Sequence, residues 1–249
     1  MHLLQNMTAA LAPAGLNLIG TTPVADYDAL VASQYHIGPL LPTAKTVIVI
    51  GNGGGQFWQH FSGFADARPD YFQQHENPLD AYTVKIIEGA LTPHLSCTQA
   101  RYRYIYPFQF FDGLTISFMH LTQAAGLAGP SLLGMRIHPE YGPWIASRVA
   151  ILIDQEISVP SVAPGFDPCP TCIERACMVA CPANAIDVEK GWNISACVQH
   201  RVRNATDCVD RCHARYQCVY GREDRYPEEE LAYHQRLSFA AMRKHFEKK

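Results

Sequence analysis

The 249-residue sequence contains no run of about 18 consecutive apolar residues, so no part of it is expected to span a membrane. Its opening, Met1-His2-Leu3-Leu4-Gln5-Asn6-Met7, lacks the basic head and long apolar stretch of a signal peptide. Positive charge is not in excess either: 20 lysines and arginines stand against 23 acids, for a net charge of −3. That excludes the broad basic field that dominates non-specific nucleic-acid binding, and no nucleic-acid partner is expected. Glycines are present, but neither the spaced G-x-G-x-x-G of dinucleotide sites nor a Walker lysine accompanies them. With 48% apolar residues the chain has the composition of an ordinary globular protein, and its length holds one large or two modest domains.

Cysteine, by contrast, is plentiful and unevenly placed. Eight of the nine cysteines fall between Cys169 and Cys218, opening with Cys169-Pro170-Thr171-Cys172 and passing Cys177 to Cys181-Pro182. Thiolates are the ligands of soft iron–sulfur clusters, and C-x-x-C, a third cysteine, then Cys-Pro is the order found in bacterial ferredoxins. Eight ligands suit two 4Fe-4S clusters. In two-cluster ferredoxins the fourth cysteine of a run ligates the other cluster. This assigns Cys169, Cys172, Cys177 and Cys218 to one centre, and Cys181, Cys197, Cys208 and Cys212 to the other. Two spacings depart from the pattern: four residues separate Cys172 from Cys177, and five separate Cys212 from Cys218. Structural zinc is one alternative, but it favours paired C-x-x-C knuckles and only Cys169 to Cys172 qualifies. Disulfides are the other; the missing export signal counts against them and points to the reducing cytoplasm. Cys97, alone, reads as a buried small hydrophobe.

Before the cysteines, Leu3, Leu4, Met7, Ala10 and Leu11 recur at helical spacing and predict an amphipathic helix packed on a sheet. Residues 16–20 read as a short strand and 26–33 as a second helix, capped near Ala25 or Asp26. The β-branched run from Thr46 through Gly51 predicts a buried central strand. It runs into Gly51-Asn52-Gly53-Gly54-Gly55. Backbone without Cβ atoms can approach a phosphate or cofactor face, which makes Gly53, Gly54 and Gly55 candidate binding residues, with a flexible surface loop as the alternative. A third helix is expected over 77–95. Residues 101–111 read as a strand with Tyr102, Tyr104 and Tyr106 on one side, its aromatics forming core or lining an apolar cavity. A helix over 118–125, a turn-rich stretch over 136–144 and a strand over 149–154 follow. Pro160, Pro164 and Pro168 mark a linker, and after Pro227 a polar helix is expected over 228–246. His60, His75, His94, His120 and His138 are ordinary surface or core histidines, or candidate ligands to a metal such as cobalt.

Three features resemble the epoxyqueuosine reductase family, and more distantly the cobalamin-processing and reductive dehalogenase families. They are Leu41-Pro42-Thr43-Ala44-Lys45-Thr46-Val47-Ile48-Val49; Ala125-Gly126-Leu127-Ala128-Gly129 with His138-Pro139-Glu140-Tyr141-Gly142-Pro143-Trp144 onward to Asp154; and the cysteine order of four, one and three. The resemblance implies an α/β (α+β) architecture: a nitroreductase-like, cobalamin-binding domain over 1–160, a ferredoxin-like two-cluster domain over 161–226, and a C-terminal helix over 227–249. It implies that Gly129 and Tyr141 belong to the cofactor site. It also implies that an aspartate beside the corrinoid, Asp112 by an ungapped count from Ala125-Gly126-Leu127, donates a proton; Asp112-Gly113 is equally the composition of a plain turn. Members acting on tRNA continue into a helical-repeat extension, whereas this sequence ends after one helix, so tRNA is not expected as a substrate. The expected activity is that of a cytoplasmic oxidoreductase. An external donor of the flavodoxin or ferredoxin-reductase type would supply single electrons, passed through two clusters to reduce a corrinoid or a small molecule. A ferredoxin-type carrier with a non-catalytic docking domain, and a flavin-dependent reductase, are the alternative readings.

Overall fold

The structure, a computed structural model, describes residues 2–246 other than Pro69, Asp112, Val159, Pro164 and Ala205. The chain divides into two units, one of Met1–Ala128 with Ile145–Pro164 and one of Gly129–Trp144 with Gly165–Lys249. The sequence expectation was 1–160, 161–226 and a C-terminal helix over 227–249; in the structure Gly129–Trp144 and the C-terminal helix group with the cysteines. The reason is apolar burial. Leu133 and Ile137 are buried with Ile186, Ala214 and Cys218, and Trp144 is buried with Tyr226 and Leu231.

The first unit runs α1 (His2–Leu11), β1 (Leu18–Pro23), α2 (Val24–Leu30), β2 (Thr46–Gly53), α3 (Gln56–Asp66), α4 (Tyr71–Gln74), α5 (Pro78–Ser96), β3 (Tyr102–Ile105), α6 (Phe118–Ala124) and β4 (Ile145–Ile153). Its sheet has the order β1-β2-β4-β3, with every pair antiparallel. Every residue of β2 is buried, as the unbroken β-branched run requires of a strand covered on both faces. β1 alternates buried and partly exposed residues and closes on Pro23, which suits an edge strand because proline cannot donate to a ladder. Helix α1 packs against α5, and α6 packs against α2, β1 and β4.

Residues 53–55 are not the flexible surface loop the sequence allowed. Gly53 ends β2, Gly54 takes φ +71°, and Gly55 is the N-cap of α3. Phe57, Trp58, Phe61 and Ala65 of α3 are buried, and Tyr82 of α5 lies 5.6 Å from Phe57, 5.5 Å from Phe61 and 5.0 Å from Phe64, ring centre to ring centre. Strand β3 stops at Ile105, well short of residue 111, because Pro107 has no N–H to continue the ladder. Its tyrosines nevertheless share a side, as expected. The hydroxyls of Tyr102, Tyr104 and Tyr106 meet Ser96 at 3.4 Å, Thr92 at 3.2 Å and Glu88 at 3.2 Å, one contact per turn of α5. Burial raises the Tyr104 hydroxyl to about 12 and raises Tyr106 as well. Among the described residues no helix is long and apolar enough to cross a membrane.

The second unit contains α7 (Ala176–Ala180), a hairpin of β5 (Ile186–Asp187) and β6 (Gly191–Trp192), α8 (Ile194–Arg203), α9 (His213–Tyr216) and α10 (Glu228–Phe246). In the hairpin turn the Asp187 carboxylate accepts the N–H groups of Glu189 at 2.8 Å and Lys190 at 2.9 Å, and Gly191 supplies φ +69°. Asn193 caps α8 by accepting the Ala196 N–H at 3.0 Å.

Candidate metal centres

The eight clustered cysteines are free thiols, with no bridge between any pair. Their surroundings sort them. Cys169, Cys172, Cys177 and Cys218 line one pocket, walled by Leu132, Leu133, Ile137 and Tyr220. Burial raises the Cys177 thiol to about 11, helped by Cys218, Cys169 and Cys172, since each neighbouring thiolate would repel its own. Cys218 is raised by burial and, in smaller part, by Cys169 and Cys172. Cys208 is likewise raised to about 11 by burial, then by Cys212 and Cys197, and Cys197 by burial, then by Cys212 and Cys181. The two sets of electrostatic neighbours have no member in common.

Local structure explains how irregular spacing produces this. The four residues between Cys172 and Cys177 swing outward, leaving Ile173 95% exposed, and Arg175 at φ +44° turns the chain back into α7. The five residues between Cys212 and Cys218 are taken up largely by α9, which packs on α7. Of the four non-glycine residues described with positive φ, three (Arg175, Asn184 and Cys208) are in this stretch, where loops must wrap around sulfur. Backbone N–H groups also point at the thiols: Leu132 donates to Cys169 Sγ at 3.4 Å and Ala185 to Cys181 Sγ at 3.4 Å.

Four thiols per set, N–H groups donated to sulfur and apolar walls are the donor chemistry that iron–sulfur clusters require, and the residues fit such a group. Among the described residues no group of three or more His, Cys, Asp and Glu side chains is placed so that it could hold a metal ion.

The other candidates are scattered. Gly53 exchanges two hydrogen bonds with the Asn17 side chain, at 2.7 and 3.1 Å, and the Gly54 carbonyl accepts from Asn52 at 3.2 Å, so both are engaged inside the first unit. Gly55 is partly exposed. Gly129 is in the second unit, where a Cβ would collide with the Phe166 carbonyl; its place is explained by packing. Tyr141, also in that unit, is half-buried with its ring 5.0 Å from His138. These five positions therefore divide between the two units. Asp112 lies outside the described residues.

His138 is not in the first unit, as the sequence had it, but in the second. It is buried, and its Nδ1 accepts the N–H groups of Glu140 at 3.0 Å and Tyr141 at 3.2 Å, which accounts for that nitrogen without a metal. His120 Nδ1 lies 2.7 Å from the Ser117 hydroxyl, His75 packs its ring on Tyr71, and His60 is exposed. Cys97, expected to be buried, is exposed. One neighbour of the thiols escaped the sequence reading: Arg201, buried on α8 one helical turn beyond Cys197, where its charge opposes part of the rise of the Cys197 and Cys208 thiols. That spacing was its signal in the sequence.

No family model and no curated protein sequence matches the chain. Solved structures do. An epoxyqueuosine reductase from Streptococcus thermophilus is similar with a TM-score of 0.61 and 18% identity, over 91% of this chain and 68% of that one. The C. elegans B12-trafficking protein CblC is similar with a TM-score of 0.63 and 13% identity, over 94% of this chain and 91% of that one. The catabolic reductive dehalogenase NpRdhA, in complex with 3-bromo-4-hydroxybenzoic acid, gives a TM-score of 0.52 and 17% identity, over 95% of this chain and 34% of that one. At such identities the likeness is one of fold: this mixed helix-and-sheet chain is similar, over most of its length, to a reductase, a B12-trafficking protein and a dehalogenase.

Proposed function

We propose that this chain is an iron–sulfur oxidoreductase that takes single electrons from an external protein donor and delivers them to a bound corrinoid, for reduction of the corrinoid or of a small molecule. The observation that carries the reading is the sorting of eight thiols into two separate sets of four. One set, Cys169, Cys172, Cys177 and Cys218, would hold one 4Fe-4S cluster, and Cys181, Cys197, Cys208 and Cys212 the other. Such clusters supply one-electron storage and transfer. The chain's own contribution is to hold sulfur in place, to donate Leu132 and Ala185 N–H groups toward it, and to exclude water with Leu132, Leu133 and Ile137.

The corrinoid is supported by likeness of fold to a B12-trafficking protein and to an epoxyqueuosine reductase, the family whose motifs the sequence resembles. In the same reading Asp112 is the proton donor. The nitroreductase-like and ferredoxin-like descriptions of the two units belong to this proposal as well.

Anaerobic purification of the full chain tests it. The protein should be brown with about eight iron atoms, two clusters' worth. Cys177→Ala and Cys208→Ala should each retain about half of that iron, and added hydroxocobalamin should show a perturbed absorption spectrum. A colourless, zinc-loaded protein would end the reading; brown protein that leaves the cobalamin spectrum unchanged would leave an electron carrier.

A further inference from the structure

Among the described residues of the second unit, the two most exposed large apolar side chains are Ile173, 95% exposed, and Val179, 89% exposed. Both stand beside thiols. Ile173 follows Cys172, and Val179 is two residues from Cys177 and two from Cys181. One residue spans at most about 3.6 Å of chain, so a partner covering either side chain sits within about 7 Å of backbone from a thiol-bearing residue. The four residues between Cys172 and Cys177 are also two more than the bacterial ferredoxin order uses. Ligation alone therefore does not account for the turn that lifts Ile173 into solvent.

That turn is braced. Glu174 accepts from the Arg222 guanidinium at 3.0 Å, Arg175 Nε–H donates to the Cys172 carbonyl at 3.3 Å, and the Met178 N–H donates to the Arg175 carbonyl at 2.9 Å. An apolar side chain presented by an ordered turn has little freedom left to lose on contact. An open hollow of about 400 Å³ adjoins Arg175, with Cys169 in its wall and Pro130, Leu132, Pro170 and Val188 lining it. Val188 is exposed as well. The charged residues that line or brace this face come as one acid for each base: Asp167 with Arg175 in the hollow, and Glu174 with Arg222 at the turn.

We propose that Ile173 and the hollow beside Cys169 form the docking face for the electron donor, and that the donor is a flavin-bearing carrier protein presenting the apolar benzenoid edge of its ring. The proposal rests on the electron-carrying reading above. An iron–sulfur carrier would present a cluster held by thiolates, a negatively charged group that a cationic face would suit. A flavin edge carries no charge and suits an apolar face whose own charges cancel. One electron leaves the donor's reduced flavin, and one arrives at the centre of Cys169, Cys172, Cys177 and Cys218. Electron-transfer contacts are small and weak, so a braced apolar knob beside a shallow hollow is enough to form one.

Stopped-flow mixing of the full-length, anaerobically purified protein with a photoreduced bacterial flavodoxin tests this, read as bleaching of the cluster absorbance. Ile173→Ser should lower the second-order rate constant about tenfold, the effect of withholding one large apolar side chain from an interface. Val188→Ser should act in the same direction. Calorimetric binding of oxidised flavodoxin should weaken by the same factors, with little dependence on salt between about 0.05 and 0.5 M because the charges cancel. Direct reduction by dithionite, iron content and circular dichroism should not change. Leu237→Ser, an exposed apolar side chain on α10, should match wild type throughout. Equal rates for Ile173→Ser and wild type, or an equal loss in Leu237→Ser, overturn the proposal. So does a wild type that dithionite reduces and flavodoxin does not, or a wild-type dimer that Ile173→Ser splits into monomers, which would give the face to a second copy of this chain. Wild-type protein with no cluster removes the two-cluster reading and this proposal with it, a result distinct from clusters reduced at rates that ignore Ile173.

Discussion

His138 is held as a hydrogen-bond acceptor, which requires a neutral ring. Its Nδ1 takes the N–H groups of Glu140 and Tyr141, and burial lowers its pKa, with Glu140 opposing in part. The consequence for stability has a definite sign. On acidification the unfolded chain binds the proton first, near the ordinary value of about 6.5, while the folded ring resists it, so stability present above that pH is lost as pH falls below it. Thermal midpoints measured from pH 7.5 to 5.5 should therefore fall more steeply for wild type than for His138→Asn, whose side-chain oxygen can still accept from the turn. Equal slopes would show that the ring does not titrate this way. The sequence offered His138 as a metal ligand because its residue type allows that. The turn that occupies Nδ1, closed by paired hydrogen bonds between His138 and Gly142, is a fact of tertiary structure. Cys97 was misread for the matching reason: a lone cysteine carries no pattern from which burial can be read.

Helices and strands were legible where periodicity or composition was strong. The apolar repeat of α5 and the β-branched run of β2 gave both elements within a residue or two of their ends. Strand direction was not legible, because burial on both faces produces the same run whether neighbours are parallel or antiparallel. Helix α3 was missed altogether, although Phe57, Phe61 and Ala65 sit at helical spacing; the preceding glycines drew attention to a loop, and no N-cap side chain announced the start. Yet α3 anchors much of the first unit's aromatic packing. Phe61 is fully buried, with neighbouring ring centres on Trp58 at 5.3 Å, Tyr82 at 5.5 Å and Phe72 at 5.9 Å. Phe61→Ala should cost about 3–5 kcal/mol in denaturant unfolding, the range for a large buried aromatic. Phe72→Ala, at a half-exposed ring, should cost well under half as much. Similar losses at both positions would mean that the packing of α3 does not depend on this face.

The two units bury unequal amounts of apolar surface, and the inequality separates what holds each together. The first has a four-stranded sheet whose central strands carry Val47, Ile48, Val49, Ile50, Val149, Ile151, Leu152 and Ile153, all fully buried. The second buries Leu133, Ile137, Ile186, Ala214 and Cys218 in one small cluster and Trp144, Tyr226 and Leu231 in another, with short helices and a two-residue hairpin between. Clusters of that size offset little of the conformational entropy of an ordered chain. The grouping of the cysteines was readable in the sequence because their spacings are short and local. The membership of Gly129–Trp144 was not, since it depends on apolar surfaces meeting across distant positions. On the two-cluster reading, metal binding contributes much of the second unit's folding energy, as in other small metal-held domains. Stripping iron with a chelator under anaerobic reducing conditions should therefore strip hydrogen-exchange protection from α7, α8 and α9, while the amides of β2 and β4 remain protected. Because Cys177 and Cys208 are raised to about 11, iron must displace protons to rebind, and reconstitution should become more favourable as pH rises from 7 to 9. Protection in α8 that survives complete iron loss would mean that the small apolar clusters suffice, and that the thiols are guests of a fold standing without them.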